Sequence, residues 1–416
     1  MATHHAQAII VGGGPAGSSA AWHCARAGLD VLLLDKARFP RAKPCAEYVS
    51  PEGSRILAAM GALEALETSD AAQLTGMVVH APNGGRIHGE FVAQHGFRGF
   101  RDRGLGVRRE VLDTLLLERA RAGGVRVQEE AAVAQLERAP DGRVCGVVLR
   151  DGAVLRAPVI IGADGLRSVV ARRLGLAHVA RWPRRVALVA HYANVRDMST
   201  LGEMHVTRNG YVGLAQVNGG LTNVAMVLPA RRARTLIRDA GGETAAALDR
   251  WLAAQPALAP RFAEATRVTP VRATGPFASR ARRAWAPGAL LVGDAADFFD
   301  PFTGEGIYAG LRGGELVASA AVAMAEARDA AACAVAGRAY EQARHEAFAG
   351  KWRVERLIGT AVAIPALLNH AARVLSRDRD LADLLIGVTG DFVPPSAVLR
   401  PRTLLRLLVP MPHPEA

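Results

Sequence analysis

The chain has 416 residues, 50% of them hydrophobic, and its 51 Lys and Arg outnumber 39 Asp and Glu for a net charge of +12. That length exceeds one simple core, so two or three domains are expected, and the hydrophobic share excludes a disordered tail protein. Cys24, Cys45, Cys145 and Cys333 form no CxxC and have no histidine cluster beside them, which argues against a zinc site or a disulfide framework.

Lysine occurs only at 36, 43 and 351, so the basic charge is nearly all arginine, scattered in small groups without interleaved aromatics. That pattern disfavours a nucleic-acid surface and leaves solvated faces, cofactor phosphates or anionic lipid heads as its uses. The opening MATHHAQAIIVGGG has no charged region followed by an apolar one, and no uninterrupted apolar run of 18 residues occurs anywhere. The expectation is a cytoplasmic, reduced protein, with contact at the inner face of the membrane as the alternative.

Residues 7–11, QAIIV, predict a buried strand. Gly12, Gly14 and Gly17, with Pro15 and Ala16 between them, then fit G-x-G-x-x-G and open a helix over roughly 15–27, ended by Gly28. A second apolar strand, 29–35, ends in Asp35, followed by Lys36. Strand, glycine turn, helix, strand and terminal acid in this order form a dinucleotide fingerprint: the helix N-terminus faces a pyrophosphate and the acid faces a ribose.

The stretch 43–53, KPCAEYVSPEG, follows, with Cys45 and Glu47 as candidate chemical residues. Residues 74–91 read as strands, VRREVLD at 107–113 starts a helix, and 125–161 alternates strands with Asp-Gly turns. A strand then enters Gly162-Ala163-Asp164-Gly165. Residues 185–228 are mostly strand and, with 74–91, predict a second, antiparallel sheet whose apolar face suits a hydrophobic substrate. Another strand ends in Gly293-Asp294, followed by a Pro- and Gly-rich turn and a helix from about 306. Residues 231–268 and 306–385 read as helical, with 357–368 expected first as a buried core helix and second as an interfacial segment. The basic, leucine-rich end through 414 is expected over the pocket mouth or on a membrane surface.

The GxGxxG start, GADGLRS and GDAADFFDPFTGEGI, in this order and spacing, resemble FAD-dependent oxidoreductases of the p-hydroxybenzoate hydroxylase and geranylgeranyl reductase superfamily. The resemblance covers roughly residues 6–320. It implies an α/β fold: a Rossmann-like FAD-binding domain of the glutathione-reductase type, an antiparallel-sheet substrate domain and a helical C-terminal extension. The expected division is 1–73, 100–180 and 270–330 for FAD, 74–99 and 181–269 for substrate, and 331–416 for the extension.

By the same resemblance, Gly12, Gly14, Pro15, Ala16, Gly17, Asp35 and Lys36 take the ADP half of FAD. Arg109 and Asp164 contact its middle, Gly293 and Asp294 the ribityl chain, and Pro301, Thr303, Gly304, Glu305, Gly306 and Ile307 border the flavin ring. The family arginine three residues after the GADG serine is Ala171 here, with Arg172 next, which weakens any nicotinamide contact through that motif. Only one dinucleotide fingerprint is present, so NAD(P)H is expected as a transient donor.

The leading expectation is a NAD(P)H-using monooxygenase hydroxylating a hydrophobic aromatic or polyketide-like molecule through a flavin C4a-hydroperoxide. The alternative is reduction of prenyl double bonds, and a third class is an electron carrier. Prenyl reductases carry a Pro-Cys-Gly-Gly-like stretch that Lys43-Pro44-Cys45 resembles, but Ala46-Glu47 replaces Gly-Gly. Their Trp and Phe-Pro-Lys segment has no counterpart in Gly210–Gln216, and no WxWxIP-like halogenase segment occurs. Cys45, Glu47, His191 and Tyr211 are the candidate catalytic residues, and no metal ligand set is expected.

Overall fold

The computed structural model describes residues 5–93, 95–180, 182 and 184–408. The last residues of the leucine-rich end, 409–414, lie outside the described residues.

A parallel sheet runs in the order Trp285–Ala286, Ala289–Leu291, Val159–Gly162, Ala8–Val11, Val31–Leu34, Arg126–Gln128. Its first pair alone is antiparallel. The strands Ala8–Val11, Val31–Leu34 and Val159–Gly162 are buried at every position, which is why they read as unbroken apolar runs: helices or a small sheet cover both faces. Each fully buried Ile or Leu there contributes about 1.5–3 kcal/mol of transfer free energy. The glycine loop leaves the strand Ala8–Val11, between the next strand in the chain, Val31–Leu34, and one that comes much later, Val159–Gly162. Ligands gather at such a crevice outside the carboxyl ends of strands.

Helix Pro15–Arg26 packs against helix Gly306–Ala325. Small residues set their separation, since a Cβ at Gly314 would stand 2.6 Å from Ala20 N. This contact joins the first glycine signature to the third.

The second sheet runs Thr266–Arg267, Arg185–Ala193, Leu221–Pro229, Gly210–Val217, Leu201–Thr207, Gly76–His80, Arg86–Glu90, with Arg272–Thr274 also paired to Arg185–Ala193. It differs from the antiparallel expectation in one place: Gly76–His80 pairs parallel with Leu201–Thr207. A long excursion through the parallel-sheet domain separates those strands, so the chain is free to return in the parallel sense. Along Arg185–Ala193 the faces alternate. Leu188, Ala190 and Tyr192 pack under helices Ala230–Asp239 and Thr244–Ala253, while Ala187 and Val189 face Phe277 and Phe302.

Helix Ala330–Ala363 runs from Trp285 of the parallel sheet to the second sheet, where Val362 is buried. It bends by 110° into Pro365–Leu375. The expected core helix over 357–368 is therefore broken, because Pro365 cannot continue the ladder. Val362 and Leu368 point inward while Leu357, Ile364 and Leu367 are exposed. No single described helix is long and apolar enough to cross a membrane.

Candidate functional site

Gly12 holds φ at +106°, and a Cβ there would meet Ala163 O at 2.6 Å. A Cβ at Gly17 would lie 1.7 Å from Gly12 O. These two glycines fold the first turn tightly against the Gly162–Gly165 turn. Asp35 Oδ2 accepts Gly13 N–H at 2.7 Å and Oδ1 accepts Ala37 N–H at 2.8 Å, so the buried carboxylate braces the loop and keeps lone pairs free. Lys36 is exposed.

The cations beside the loop come from other segments. Arg109, 8% exposed at the start of helix Arg109–Ala122, makes two 2.7 Å bonds to Asp113. Arg41 lies 3.1 Å from Asp113 and 3.6 Å from Asp35. Both guanidiniums come within 3.6 Å of where a Gly14 Cβ would sit, and Arg41 Nη1 is buried with the Asp113 carboxylate as its ion-pair partner. Lys43 Nζ reaches the Gly165 turn. Arg41 and Lys43 carry no fingerprint of their own; only their position just after the Asp35 strand hinted at them.

Asp164 caps helix Val169–Arg173 through its Oδ2, while Oδ1 is buried and unpartnered, and burial raises its pKa. Asp294 follows the strand ending at Leu291, and burial raises its pKa against the pull of Lys43 and Arg109. Pro301–Thr303 forms one tight helical turn and Gly304 adopts φ +74°, where a Cβ would strike Tyr48 at 2.9 Å. Gly306 opens helix Gly306–Ala325, and the Ile307 side chain is buried in the core, leaving only its backbone for a ligand. Glu305 is buried and paired with Lys351 at 3.1 Å; Lys351 also contacts Asp391. A cleft of 320 Å³ borders this turn, lined in part by Asp294, Glu305, Gly306, Lys351 and Glu355. Burial, with Glu305 beside it, holds the Glu355 carboxyl well above its ordinary range.

This arrangement fits FAD. A glycine loop with two guanidiniums beside it suits a pyrophosphate. Asp35 and Asp294 are acceptors for sugar and sugar-alcohol hydroxyls, and a helix N-terminus faces the ring's place.

Glu47, Cys45 and His191 assemble at one end of the second sheet. Glu47 is buried with φ +58°, a left-handed conformation that costs a non-glycine residue about 1–2 kcal/mol. Its Oε1 accepts Arg109 N–H at 2.8 Å, and Oε2 accepts from Asn223 Nδ2 at 2.9 Å and His191 Nε2 at 2.6 Å. An ionised carboxylate only accepts, so His191 donates from Nε2, and in the neutral ring Nδ1 accepts from Thr269 Oγ1 at 3.1 Å. Cys45 Sγ accepts Glu47 N–H at 3.4 Å, and burial pushes the thiol pKa up although Arg109 opposes it.

Tyr211 does not join this group. Its hydroxyl donates to Asp300 Oδ1 at 2.6 Å, and Asp300 Oδ2 holds Arg185 at 2.7 Å. Burial, then Asp300, drive the Tyr211 pKa well above its ordinary value. Between the two polar ends the sheet carries small residues. Gly213 lies opposite Ala225, and Ala215 opposite Asn223, and the three small residues are only partly buried while Leu214 and Val224 beneath them are fully buried.

Residues 5–347 match the model of the FAD binding domain family. The chain is 28% identical over 395 residues to digeranylgeranylglycerophospholipid reductase 2 of Methanopyrus kandleri, covering 92% of this chain and 93% of that one. It is 26% identical over 411 residues to the menaquinone reductase of Mycolicibacterium smegmatis, covering 93% and 92%. Among solved structures, a flavin-dependent brominase superposes with a TM-score of 0.80 at 21% identity, covering 94% of each chain. A probable FAD-dependent monooxygenase from Pseudomonas aeruginosa superposes with a TM-score of 0.70 at 22% identity, covering 88% of this chain and 98% of that one. At those identities the two structures speak for the fold. With the glycine loop, its guanidiniums and the three strand-end turns in one crevice, the chain belongs to the FAD binding domain family and is an FAD-dependent oxidoreductase of the monooxygenase and reductase superfamily.

Proposed function

We propose that the chain reduces carbon–carbon double bonds in the prenyl chain of a lipid. The observation that carries this reading is the partly buried strip of Gly213, Ala215 and Ala225, small side chains on the second sheet that lie between Glu47–His191 and Tyr211–Asp300–Arg185. Such a strip suits an extended apolar chain. The relatives named as reductases, which align over nearly the full length, support the same chemistry.

Bound and reduced, FAD supplies the electron pair. The Gly12–Gly17 N–H groups with Arg41 and Arg109 would hold its pyrophosphate, Asp35 the ribose, Asp294 the ribityl chain, and residues 301–307 the ring edge. Glu47 Oε2 accepts from His191 Nε2 and fixes the ring at the end of the strip, where the pair is the proposed proton source. The saturated carbon needs such a proton beside the hydride. NAD(P)H would serve as a transient donor. Ala171 is buried where the family arginine would stand, so that donor gains no contact there.

Hydroxylation is the second reading, favoured by one observation: the strand Gly210–Val217 has neither Trp nor Pro-Lys. The chemically reduced protein, kept strictly anaerobic with a geranylgeranyl lipid, separates the two. Mass spectrometry should show two hydrogens gained per double bond. No hydrogenation without oxygen, together with an oxygenated product in air, sinks the reductase reading.

A further inference from the structure

A second cleft, 630 Å³ in volume, opens on the far side of the Tyr211–Asp300–Arg185 group. Arg184, Arg208, Arg231 and Arg234 line it, from strand ends of the second sheet and the first turns of helix Ala230–Asp239. All four are exposed, and among the described residues none of them is in an ion pair, whereas the buried Arg185 behind them is held by Asp300. Like charges gathered this closely repel one another, so the cluster is costly unless an anion shares the space.

Apolar side chains line part of the same opening, and others follow along the chain from it. Trp182 lines the cleft and is 60% exposed. Val362 and Ala363 line it where helix Ala330–Ala363 bends, and the next residues outward, Ile364 and Leu367, are 44% and 47% exposed. Helix Pro401–Leu408 packs on Pro365–Leu375, with His370 Nε2 3.2 Å from Leu407 O, and carries Leu405 at 61% exposure. A cluster of unpaired arginines edged by an exposed tryptophan and aliphatic residues is amphipathic in the manner of a surface that lies on lipid.

We propose that this face docks on a bilayer containing anionic phospholipid. The arginine cleft receives a headgroup phosphate, and Trp182, Ile364, Leu367 and Leu405 enter the boundary between headgroups and acyl chains. The commitment to a bilayer follows from the pairing of charge with apolar edge, since a soluble anion would leave the four apolar side chains without a partner. The docking stands apart from the reaction proposed above and holds for either reading of the flavin site.

The test is flotation of the full-length, FAD-loaded protein with phosphatidylcholine vesicles, with and without phosphatidylglycerol. Binding is expected only with phosphatidylglycerol and should weaken as salt is added. The combined variant Arg208→Gln, Arg231→Gln, Arg234→Gln should lose roughly a hundredfold in affinity, at about fivefold for each arginine near the surface. Trp182→Ala with Leu367→Ser should weaken binding at every salt concentration. Flavin absorbance unchanged in both variants shows that the fold is intact. The proposal is overturned if the wild type stays with the unbound fraction, or if the triple variant floats as well as the wild type. It also fails if inorganic phosphate raises the Tm through these arginines while neither vesicle binds, which would make the cleft a soluble-anion site.

Discussion

Glu47 and His191, 144 residues apart in the chain, meet at 2.6 Å between Oε2 and Nε2. The carboxylate reaches that point from a left-handed backbone, φ +58°, at a position where the prenyl-reductase pattern has glycine. A strained conformation at a buried polar centre marks a place where local stability has been given up for geometry.

Replacing Glu47 separates the two effects. Glu47→Gln keeps the shape and removes the charge that orients His191, so turnover should fall about a hundredfold with FAD retained. Glu47→Gly relieves the backbone but leaves His191 Nε2 and Arg109 N–H without their acceptor, and Asn223 Nδ2 with the Cys45 carbonyl alone. Unpaired buried donors cost about 1–3 kcal/mol each, more than the strain relieved, so Tm should drop. A higher Tm for Glu47→Gly would show that the carboxylate is not what holds this corner.

Cys45 should prove dispensable for turnover. Burial keeps it a thiol at neutral pH, and a nucleophile needs the thiolate and access. Cys45→Ala is expected to keep FAD and to change kcat by less than about threefold, and alkylation of Cys45 by iodoacetamide at pH 7 should be slower than that of a free thiol. Abolished turnover in a variant that still binds FAD would return Cys45 to the chemistry.

Gly17→Ala should lose the cofactor. Its Cβ would overlap Gly12 O at 1.7 Å, and neither backbone has room to move against the Ala163 turn. Overpacking typically costs about 1–3 kcal/mol, and here it falls on the loop that carries the phosphates. The ratio of flavin to protein absorbance should collapse, with a lowered Tm.

Acid should loosen the edge of the second sheet in two stages. His80 stacks on His205 at 4.3 Å, and burial, then the neighbouring His205, lower its pKa from 6.5 to about 4. The unfolded chain binds that proton first, so this stability is complete above pH 6.5 and lost as pH falls toward 4. Glu203 is also pulled down, from 4.5 to about 2: burial opposes, but bonds from His205 and Arg261 outweigh it. Its share is lost between those values. Chemical denaturation across pH should show both windows. His80→Gln should flatten the upper one, worth at most about 2 kcal/mol after solvent screening, and Glu203→Gln the lower.

The parts of the fold decided by near neighbours were legible in the sequence. Gly12 and Gly17 announce their turn because backbone conformation and close approach there admit few residue types, and Asp35 because its carboxylate braces the loop at Gly13 N–H. Buried strands such as Ile160-Ile161 stand out because both faces exclude water. What tertiary structure alone decided is partnership across distance. Nothing near Gly76–His80 says that it pairs parallel with Leu201–Thr207, because register belongs to the strands brought together. Nothing near residue 364 says which side of the bend is wet, because the apolar run is identical until Val362 and Leu368 find the sheet. Arg41 and Lys43 become cations of the glycine loop only when the chain after Asp35 folds back over it. His191 alone is a polar residue in a strand; it becomes half of a hydrogen-bonded pair when the second sheet sets it against Glu47, where the low dielectric gives one hydrogen bond its weight.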